Sequence, residues 1–156
     1  MTTFEDAYAE HHVAMTRLAY LVVGSRAVAE EIVQEAFTEL LGRWSSVHQP
    51  GAYVRVIVVR KAVRVKERAR REIELATGTI ERPRDPANDG PYIESMWEAL
   101  ALLPARQRAA VVLRFYDDLS NEEIATVLGI TSANARLAVH RGIGRLRKEV
   151  QTWTTE

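Results

Sequence analysis

The segment from residue 131 to residue 147 carries basic and polar side chains at spacings that suit contact with the base edges of DNA. Ala135, Val139, Ile143 and Leu146 recur at intervals of four, four and three residues, which predicts a helix with one apolar side. The outer side of this helix is predicted to carry Ser132, Ala133, Arg136, Leu137, His140 and Arg141. A helix with arginines on its free face and an exposed N-terminal end is what recognition in the major groove requires.

A second short helix precedes this one, and the residues between them predict a helix-turn-helix. Ser120 can cap the first helix, and Glu123 completes a capping box. Gly129 can end it in a left-handed conformation, and Thr131 can cap the next helix. An ordinary pair of packed helices would show the same periodicity. The turn glycine, the two caps and the basic outer face together favour DNA binding.

Another basic segment lies near the middle of the chain. The whole chain has 21 basic and 21 acidic residues, yet residues 50–72 contain eight basic residues and two acidic ones. Pro50 is well placed at the start of a helix, and one apolar side is predicted from Ala52 to about Glu72. The basic remainder suits a phosphate backbone or, alternatively, an anionic membrane surface. We favour nucleic acid because a second basic element follows downstream.

Two helices are predicted before this basic helix, the first from after Thr3 to about Val23 and the second from about Ala27 to Trp44. The outer side of the second carries Glu30, Glu31, Gln34, Glu35 and Glu39. A charged stripe of this kind is usually a solvated surface, and docking of a partner is the less common alternative.

The residues from about 75 to 91 are rich in Gly, Pro, Asn, Asp and Thr and show no helical or strand period. They predict a flexible linker between two small helical units. Beyond it, helices are predicted from about Tyr92 to Leu103 and from Ala105 to Tyr116. The fold class is therefore predicted to be all-α, with domains at 1–74 and 92–156, a linker at 75–91, and a helix-turn-helix in the second domain.

The composition argues against an enzyme. The chain has no cysteine, and its four histidines are scattered without a His-Glu-x-x-His pattern. The glycines form no phosphate-binding loop, so we expect no metal, no cofactor and no small-molecule substrate. No apolar run approaches the roughly 20 residues needed to cross a bilayer, and the N-terminus lacks the features of a secretory signal. We therefore expect no membrane insertion and a cytoplasmic location.

Two longer stretches resemble the extracytoplasmic-function class of RNA polymerase sigma factors. One reads LPARQRAAVVLRFYDDLSNEEIATVLGIT from residue 103, is followed by HRGIGRLR, and resembles the family's C-terminal promoter-binding region. The other reads AEEIVQEAFTELLGRW from residue 29, is followed by PGAYVRVIVVRKAV, and resembles its core-binding and promoter-melting region. The resemblance covers nearly the whole chain. It implies binding to core RNA polymerase and promoter DNA, promoter-specific initiation, and a cognate anti-sigma factor as a further partner.

The same resemblance assigns roles to individual residues. Binding to core polymerase is implied for Glu31, Gln34, Glu35 and Phe37. Capture of a flipped base of the −10 element and contact with the opened strand are implied for Ser46, His48, Gln49, Tyr53, Arg60, Lys61 and Arg64. Recognition of the −35 duplex is implied for Ser132, Asn134, Arg136, His140 and Arg141. Arginine can read guanine and asparagine can read adenine, each worth about 1–3 kcal/mol against a wrong base.

Several residues depart from the family's common pattern. Arg60 and Arg64 stand where asparagine and aspartate are common in the basic helix. Arg136, Leu137 and Ala138 stand where Lys-Ser-Arg is common in the recognition helix. The capacity to bind phosphate survives these changes, but the family's base preference does not transfer. Leu137 could contact a thymine methyl group or pack against a regulator.

Two alternatives keep the helix-turn-helix without sigma activity. The first is a repressor or activator that binds duplex DNA without polymerase, and the second is a sigma-like regulatory binding protein. A dimeric regulator should show a self-complementary apolar face. No apolar stripe of the chain is left over once each predicted core has been filled. Binding to core polymerase discriminates the sigma factor from the duplex-binding regulator.

Overall fold

A computed structural model of the protein describes residues 2–77 and 98–154, and the regular elements in these ranges are all helical. The α-helices are α1 (Phe4–Val23), α2 (Arg26–Gly42), α3 (Pro50–Thr77), α4 (Ala105–Phe115), α5 (Asn121–Leu128) and α6 (Ser132–Thr154). A short 3-10 helix spans Trp44–Ser46, and residues 98–101 are also helical. The predicted all-α class is confirmed. We call α1–α3 the N-terminal unit and residues 98–154 the C-terminal unit.

The helix ends follow from local capping residues. Gly24 adopts a left-handed conformation (φ 76°) after α1, and Ser25 caps α2 through the backbone N–H of Val28. At α5, the Ser120 hydroxyl accepts from the Glu123 N–H, and the Glu123 carboxylate accepts from the Ser120 N–H, both at 3.1 Å. The Ser120 backbone N–H, and after it the Ser120 hydroxyl, hydrogen-bond to the Glu123 carboxylate and lower the pKa of Glu123 below its usual range. The predicted capping box is confirmed.

The core of the N-terminal unit lies among α1, α2 and α3. Leu18, Val22, Leu40 and Val58 are fully buried there. An aromatic cluster adjoins this core: the Phe37 ring packs edge-on against the rings of Phe4 and Tyr8, and Trp44 packs edge-on against Phe4. These contacts hold α2 in a fixed orientation, so that its polar side faces solvent.

In the C-terminal unit, α6 packs closely on α4 at a glycine. A methyl group added at Gly142 would lie 2.5 Å from Val111 Cγ2 and 3.4 Å from the Gln107 carbonyl oxygen. Gly142 therefore sets how closely the two helices approach. Since α6 is the predicted recognition helix, this contact helps fix its direction.

We expect Gly142→Ala to destabilise the protein by about 1–3 kcal/mol, because the stiff Val111 side chain cannot move away without disturbing the core. Gly144→Ala is the matched control, since a methyl group there meets no heavy atom within 4 Å. That substitution should stabilise α6 by up to about 1 kcal/mol through helix propensity. Thermal unfolding followed by circular dichroism measures both effects. Equal stabilisation by the two alanines would contradict the close packing at Gly142.

The third helix is longer than the sequence predicted. It was expected to end near Glu72, but it continues to Thr77, so residues 75–77 belong to the helix and not to the linker. Residues 73–77 contain no glycine or proline, and the Arg70 guanidinium pairs with Glu74 one turn away at 3.1 Å, which supports the extra turn. Residues 78–91 of the predicted linker and 92–97 of the following predicted helix lie outside the described residues.

The two units pack against each other, which the sequence did not predict. Helix α4 contacts α1 and α3, and α5 contacts α3. The apolar residues of both units belong to one continuous buried cluster. In this arrangement, which we call the closed arrangement, the basic helix α3 of the N-terminal unit packs against the C-terminal unit.

Candidate functional site

The outer side of α6 presents the predicted −35 residues to solvent. All five of these residues are exposed: Ser132, Asn134, Arg136, His140 and Arg141. Ala135 and Val139 point inward and are buried, as the spacing predicted. The Thr131 hydroxyl accepts from the backbone N–H of Asn134 at 3.1 Å and begins the helix. We call this exposed set the recognition face.

The two unusual residues of this helix differ in their surroundings. Leu137 is 41% exposed and belongs to the outer surface beside Arg136. Ala138 is half-buried and packs against the core. Leu137 is therefore available to a base or a partner, whereas Ala138 contributes mainly to the packing of α6.

The outer side of α2 forms an acidic face. Glu31, Gln34 and Glu35 are exposed, and the Gln34 amide donates to the Tyr8 hydroxyl at 2.9 Å. Phe37 differs from the other three predicted docking residues, because its ring is only 2% exposed and lies within the aromatic cluster. Phe37 therefore supports the acidic face from below and cannot contribute a large contact area to a partner.

Lys61 lies against this acidic face. Its ammonium nitrogen is 3.2 Å from Glu35 Oε2 and 3.5 Å from Glu39 Oε1. The resemblance implied that Lys61 holds the opened DNA strand. In the structure its charge is directed towards α2, where it orients the two carboxylates.

Four of the predicted −10 residues lie at or near the junction between α2 and α3. Ser46, His48 and Gln49 are exposed, and Tyr53 is half-buried against the core. The Gln49 carbonyl accepts from the Tyr53 N–H at 3.0 Å and begins α3. The loop is therefore accessible, and Tyr53 lies one turn into the helix that follows it.

Gly51 is a residue of this junction that the sequence reasoning missed. A methyl group at Gly51 would lie 2.7 Å from the His11 imidazole, so the first turn of α3 packs directly on α1. Pro50 and Gly51 together fix the position of the loop. A glycine immediately after a helix-starting proline was the only signal in the sequence.

Arg60 and Arg64 lie on one side of α3 but have different environments. Arg64 is exposed, and its Nε donates to the Arg60 carbonyl at 3.4 Å. Arg60 crosses to the C-terminal unit, where its Nε donates to the Val127 carbonyl at 2.9 Å and its Nη2 donates to the Thr126 carbonyl at 3.1 Å. Both residues are exposed, but in the closed arrangement the Arg60 guanidinium is bonded to the C-terminal unit.

A buried arginine also joins the two units. The Arg108 side chain of α4 is fully buried, and its Nε donates to the Leu21 carbonyl near the end of α1. Burial lowers its pKa to about 10, which the nearby Tyr20 partly opposes. Burial and the neighbouring Arg108 also lower the pKa of Lys66 to about 8. Nothing in the sequence pattern marked Arg108, because its contact lies 87 residues away along the chain.

Lys66 gives the folded protein a defined dependence on pH. Between about pH 8 and 10.5, the unfolded chain keeps a proton that Lys66 has lost in the folded chain, so this group's contribution to stability increases with pH. At pH 7, Lys66→Met should raise the melting temperature, because it removes a charge whose burial destabilises the folded chain. A gain of about 1 kcal/mol in the free energy of unfolding corresponds to about 2–4 °C in a chain of this size. The rise should shrink towards pH 10. The exposed Lys148→Met is the control, and a pH-independent effect of Lys66→Met would contradict this account.

A groove of about 1010 Å³ runs beside the acidic face, between α1 and α2. Its walls include Val13, Tyr20 and Leu21 from α1 and Glu31 and Gln34 from α2, and Tyr116 of the C-terminal unit also lines it. The groove therefore offers a partner an apolar recess next to charged side chains. Within residues 2–77 and 98–154, there is no cluster of three or more side chains of the types that hold a metal ion, and no helix is both long enough and apolar enough to cross a membrane.

The patterns that define two known protein regions match this chain in order. Sigma-70 region 2 matches residues 7–72, and Sigma-70 region 4 matches residues 93–146. The chain belongs to the sigma-70 family. It is an RNA polymerase sigma factor of the extracytoplasmic-function class, a type of regulatory initiation factor.

Relatives match this sigma factor over most of its length. The RNA polymerase sigma-E factor of Streptomyces coelicolor is 29% identical over 152 residues, which cover 94% of this chain and 85% of the relative. The ECF RNA polymerase sigma factor SigE of Mycolicibacterium smegmatis is 30% identical over 167 aligned positions, which cover 100% of this chain and 65% of the relative. The RNA polymerase sigma factor SigV of Bacillus subtilis is 28% identical, with 88% and 85% covered.

A solved structure shares the fold of the sigma factor. It is the sigma factor RpoE of Bartonella quintana, crystallised with the anti-sigma factor NepR, and it superposes with a TM-score of 0.74. The match covers 95% of this chain and 96% of the other, at 19% sequence identity. The likeness therefore extends over both units.

Proposed function

We propose that this sigma factor docks on core RNA polymerase through the acidic face of α2 and directs it to promoters with two separate DNA-binding surfaces. The observation that carries the proposal is the exposure of the acidic face, the α2–α3 loop and the recognition face on units that match sigma-70 regions 2 and 4 in order. The chain acts by binding and positioning, without catalysis of its own. Its place of action is the cytoplasm, where it meets polymerase and DNA.

The acidic face supplies the contact with polymerase. Glu31, Gln34 and Glu35 project from one side of a helix that the aromatic cluster holds rigid. Tyr8 restrains Gln34, and Lys61 restrains Glu35. These side chains therefore lose less conformational entropy when a partner binds. Phe37 contributes by keeping α2 in place.

The α2–α3 loop and the solvent side of α3 hold the −10 element. Capture of a flipped base requires an accessible loop next to a basic surface, because extrusion costs a few kcal/mol of stacking energy. The exposed Ser46, His48 and Gln49 supply the loop, and Tyr53 lies within one turn of it. Arg64 supplies the adjacent cation. Arg60 lies one turn before it on α3 and is also exposed.

The recognition face of α6 holds the −35 duplex. Arg136 and Arg141 are both exposed, within the first three turns of the helix. Asn134 and His140 supply further hydrogen-bonding groups, and Leu137 supplies an apolar contact for a thymine methyl group.

An anti-sigma factor is a further proposed partner. The Bartonella sigma factor of the same fold is complexed with one. The groove beside the acidic face suits such a partner, because it combines an apolar wall with Glu31 and Gln34 at its rim. A protein seated there would cover part of the surface that polymerase needs.

Transcription by purified core polymerase from a randomised promoter library tests the proposed function. The sigma factor together with core should select promoters with two conserved elements and start transcription downstream of them. Duplex binding without affinity for core would instead identify a helix-turn-helix regulator. Binding to core without initiation would identify a sigma-like regulatory protein.

A further inference from the structure

Leu137 lies in the middle of the solvent side of α6. Ala135 and Val139, each two positions away from it, are buried, and two positions correspond to about 200° around an α-helix. Leu137 therefore points away from the core, and 41% of its surface is exposed. Single exposed leucines are common on protein surfaces, so the surroundings of Leu137 decide what it can contact.

The side chains around Leu137 favour a nucleic acid as the partner of this surface. Ala133, His140 and Arg141 are exposed and lie within about 60° of it around the helix, one turn before or after it. Arg136 lies about 100° away, at the margin of the same surface. Along its length, α6 carries five basic residues and one acidic residue. A DNA duplex complements this charge, and Leu137 then faces the edges of the bases.

The chemistry of the major groove limits what a leucine can recognise. The methyl group on C5 of thymine is apolar, whereas the other groups that distinguish the base pairs there are hydrogen-bond donors or acceptors. A donor or acceptor covered by Leu137 loses its bond to water and gains none in return. The serine that is common at this position in the family can hydrogen-bond to several base edges. Leu137 therefore favours a methyl group and disfavours bases that lack one.

Arg141 limits the position of this methyl group in the DNA. Side chains four residues apart on a helix are about 5–6 Å apart, and successive base pairs are about 3.4 Å apart. Leu137 and Arg141 can therefore reach base pairs that are one or two steps apart. Arg141 can bond to guanine through O6 and N7. Together the two residues select a methyl group close to a guanine.

We propose that Leu137 is a specificity-determining residue that makes −35 binding depend on the C5-methyl group of a pyrimidine, one or two base pairs from a guanine bound by Arg141. This inference rests on the proposed role of the recognition face at the −35 duplex. Thymine carries this methyl group, and so does cytosine after methylation at C5. The sigma factor then distinguishes methylated from unmethylated cytosine at this position.

Changes of a single methyl group in the DNA test the proposal. A −35 duplex is selected from a randomised library by the full-length chain with core polymerase present. Each thymine is then replaced in turn by uracil, which lacks only the methyl group. At the most sensitive position, the thymine pair is also replaced by a cytosine–guanine pair, with and without C5 methylation. Competition gel shifts should show binding that is about fourfold tighter with the methyl group in both comparisons, the equivalent of about 0.8 kcal/mol for one buried carbon.

Substitutions of Leu137 assign this effect to its side chain. Leu137→Ser should remove both fourfold differences, because its hydroxyl group is too short and too polar to cover a methyl group. Leu137→Met should retain a difference of at least about twofold, because methionine is apolar and has a similar volume. Leu41→Ser is the matched control: it makes the same change on an exposed leucine of α2 and should keep both differences.

The proposal is overturned if no thymine is sensitive to loss of its methyl group, or if Leu137→Ser keeps the fourfold differences. The second result would mean that Leu137 contacts a protein partner and not a base. Loss of the differences in Leu41→Ser as well, or a chain that selects no duplex, would also contradict it.

Failure of the proposed function is a separate result. It appears as absent core binding or absent initiation by the unaltered chain on unmodified DNA. The comparison of methylated and unmethylated duplexes needs only duplex binding, so it still decides the role of Leu137 in a chain that binds DNA without activating core polymerase.

Discussion

Glu31→Lys is expected to weaken binding to core RNA polymerase by about 100-fold. The substitution places a cation on the acidic face, where the proposed partner surface must be basic, and juxtaposed like charges cost several kcal/mol at an interface. The side chain is exposed, so the fold should tolerate the change. Titration of the fluorescently labelled chain with core polymerase measures the affinity.

Glu10→Lys is the control for this experiment. It makes the same change in charge on an exposed residue of α1, away from the acidic face. Its affinity for core should stay within about twofold of the unaltered chain. Equal weakening by both substitutions would mean that net charge, not the acidic face, governs docking.

Reversing the charges of Arg64 and Arg68 is expected to slow promoter opening by at least tenfold while leaving −35 duplex binding within about twofold. Both side chains are exposed on α3, so they are free to follow the phosphates of the separated strand. Opening is measured by the fluorescence of 2-aminopurine in the −10 element, and duplex binding is measured by gel shift with a −35 fragment.

A reciprocal variant tests whether α3 serves promoter opening and α6 serves −35 binding. Reversing Arg136 and Arg141 on the recognition face should weaken −35 binding by at least about 30-fold, since two base contacts worth about 1–3 kcal/mol each add up to at least about 2 kcal/mol. On a pre-melted promoter, the same variant should bind strand-separated DNA as the unaltered chain does. If both variants lost promoter opening and −35 binding to the same extent, the chain would not have two separate DNA-binding surfaces.

The sequence predicted those features that depend on nearby residues. The Ser120–Glu123 box and the Thr131 cap each join residues three positions apart, so their pattern is visible in the chain itself. The exposure of Arg136 and Arg141 followed from the same helical period that buries Ala135 and Val139. Local rules of helix geometry were sufficient for these features.

The features that the sequence did not predict depend on contacts between distant parts of the chain. Lys61 and Arg60 have similar positions in the basic helix, yet one turns to Glu35 and the other to Val127, 67 residues later in the chain. The composition of α3 shows that the helix is basic. It does not show which residue each basic side chain contacts. The closed arrangement was missed for the same reason.

Phe37 shows how a resemblance and a periodic pattern can differ. The resemblance placed it with the docking residues, whereas the spacing of apolar residues in α2 placed it on the inner side. Its 2% exposure agrees with the spacing. A residue can belong to a docking motif because it supports the helix, without lying on the docking surface.

The most direct test of the central claim is a permanganate footprint on a promoter selected from the library, with and without core polymerase. The account predicts reactive, unpaired thymines near −10 only when both the sigma factor and core are present, together with protection around −35 that Arg136→Ala reduces. Protection of the duplex with no reactive thymines in the presence of core would contradict it, because the chain would then bind DNA without directing polymerase to open it.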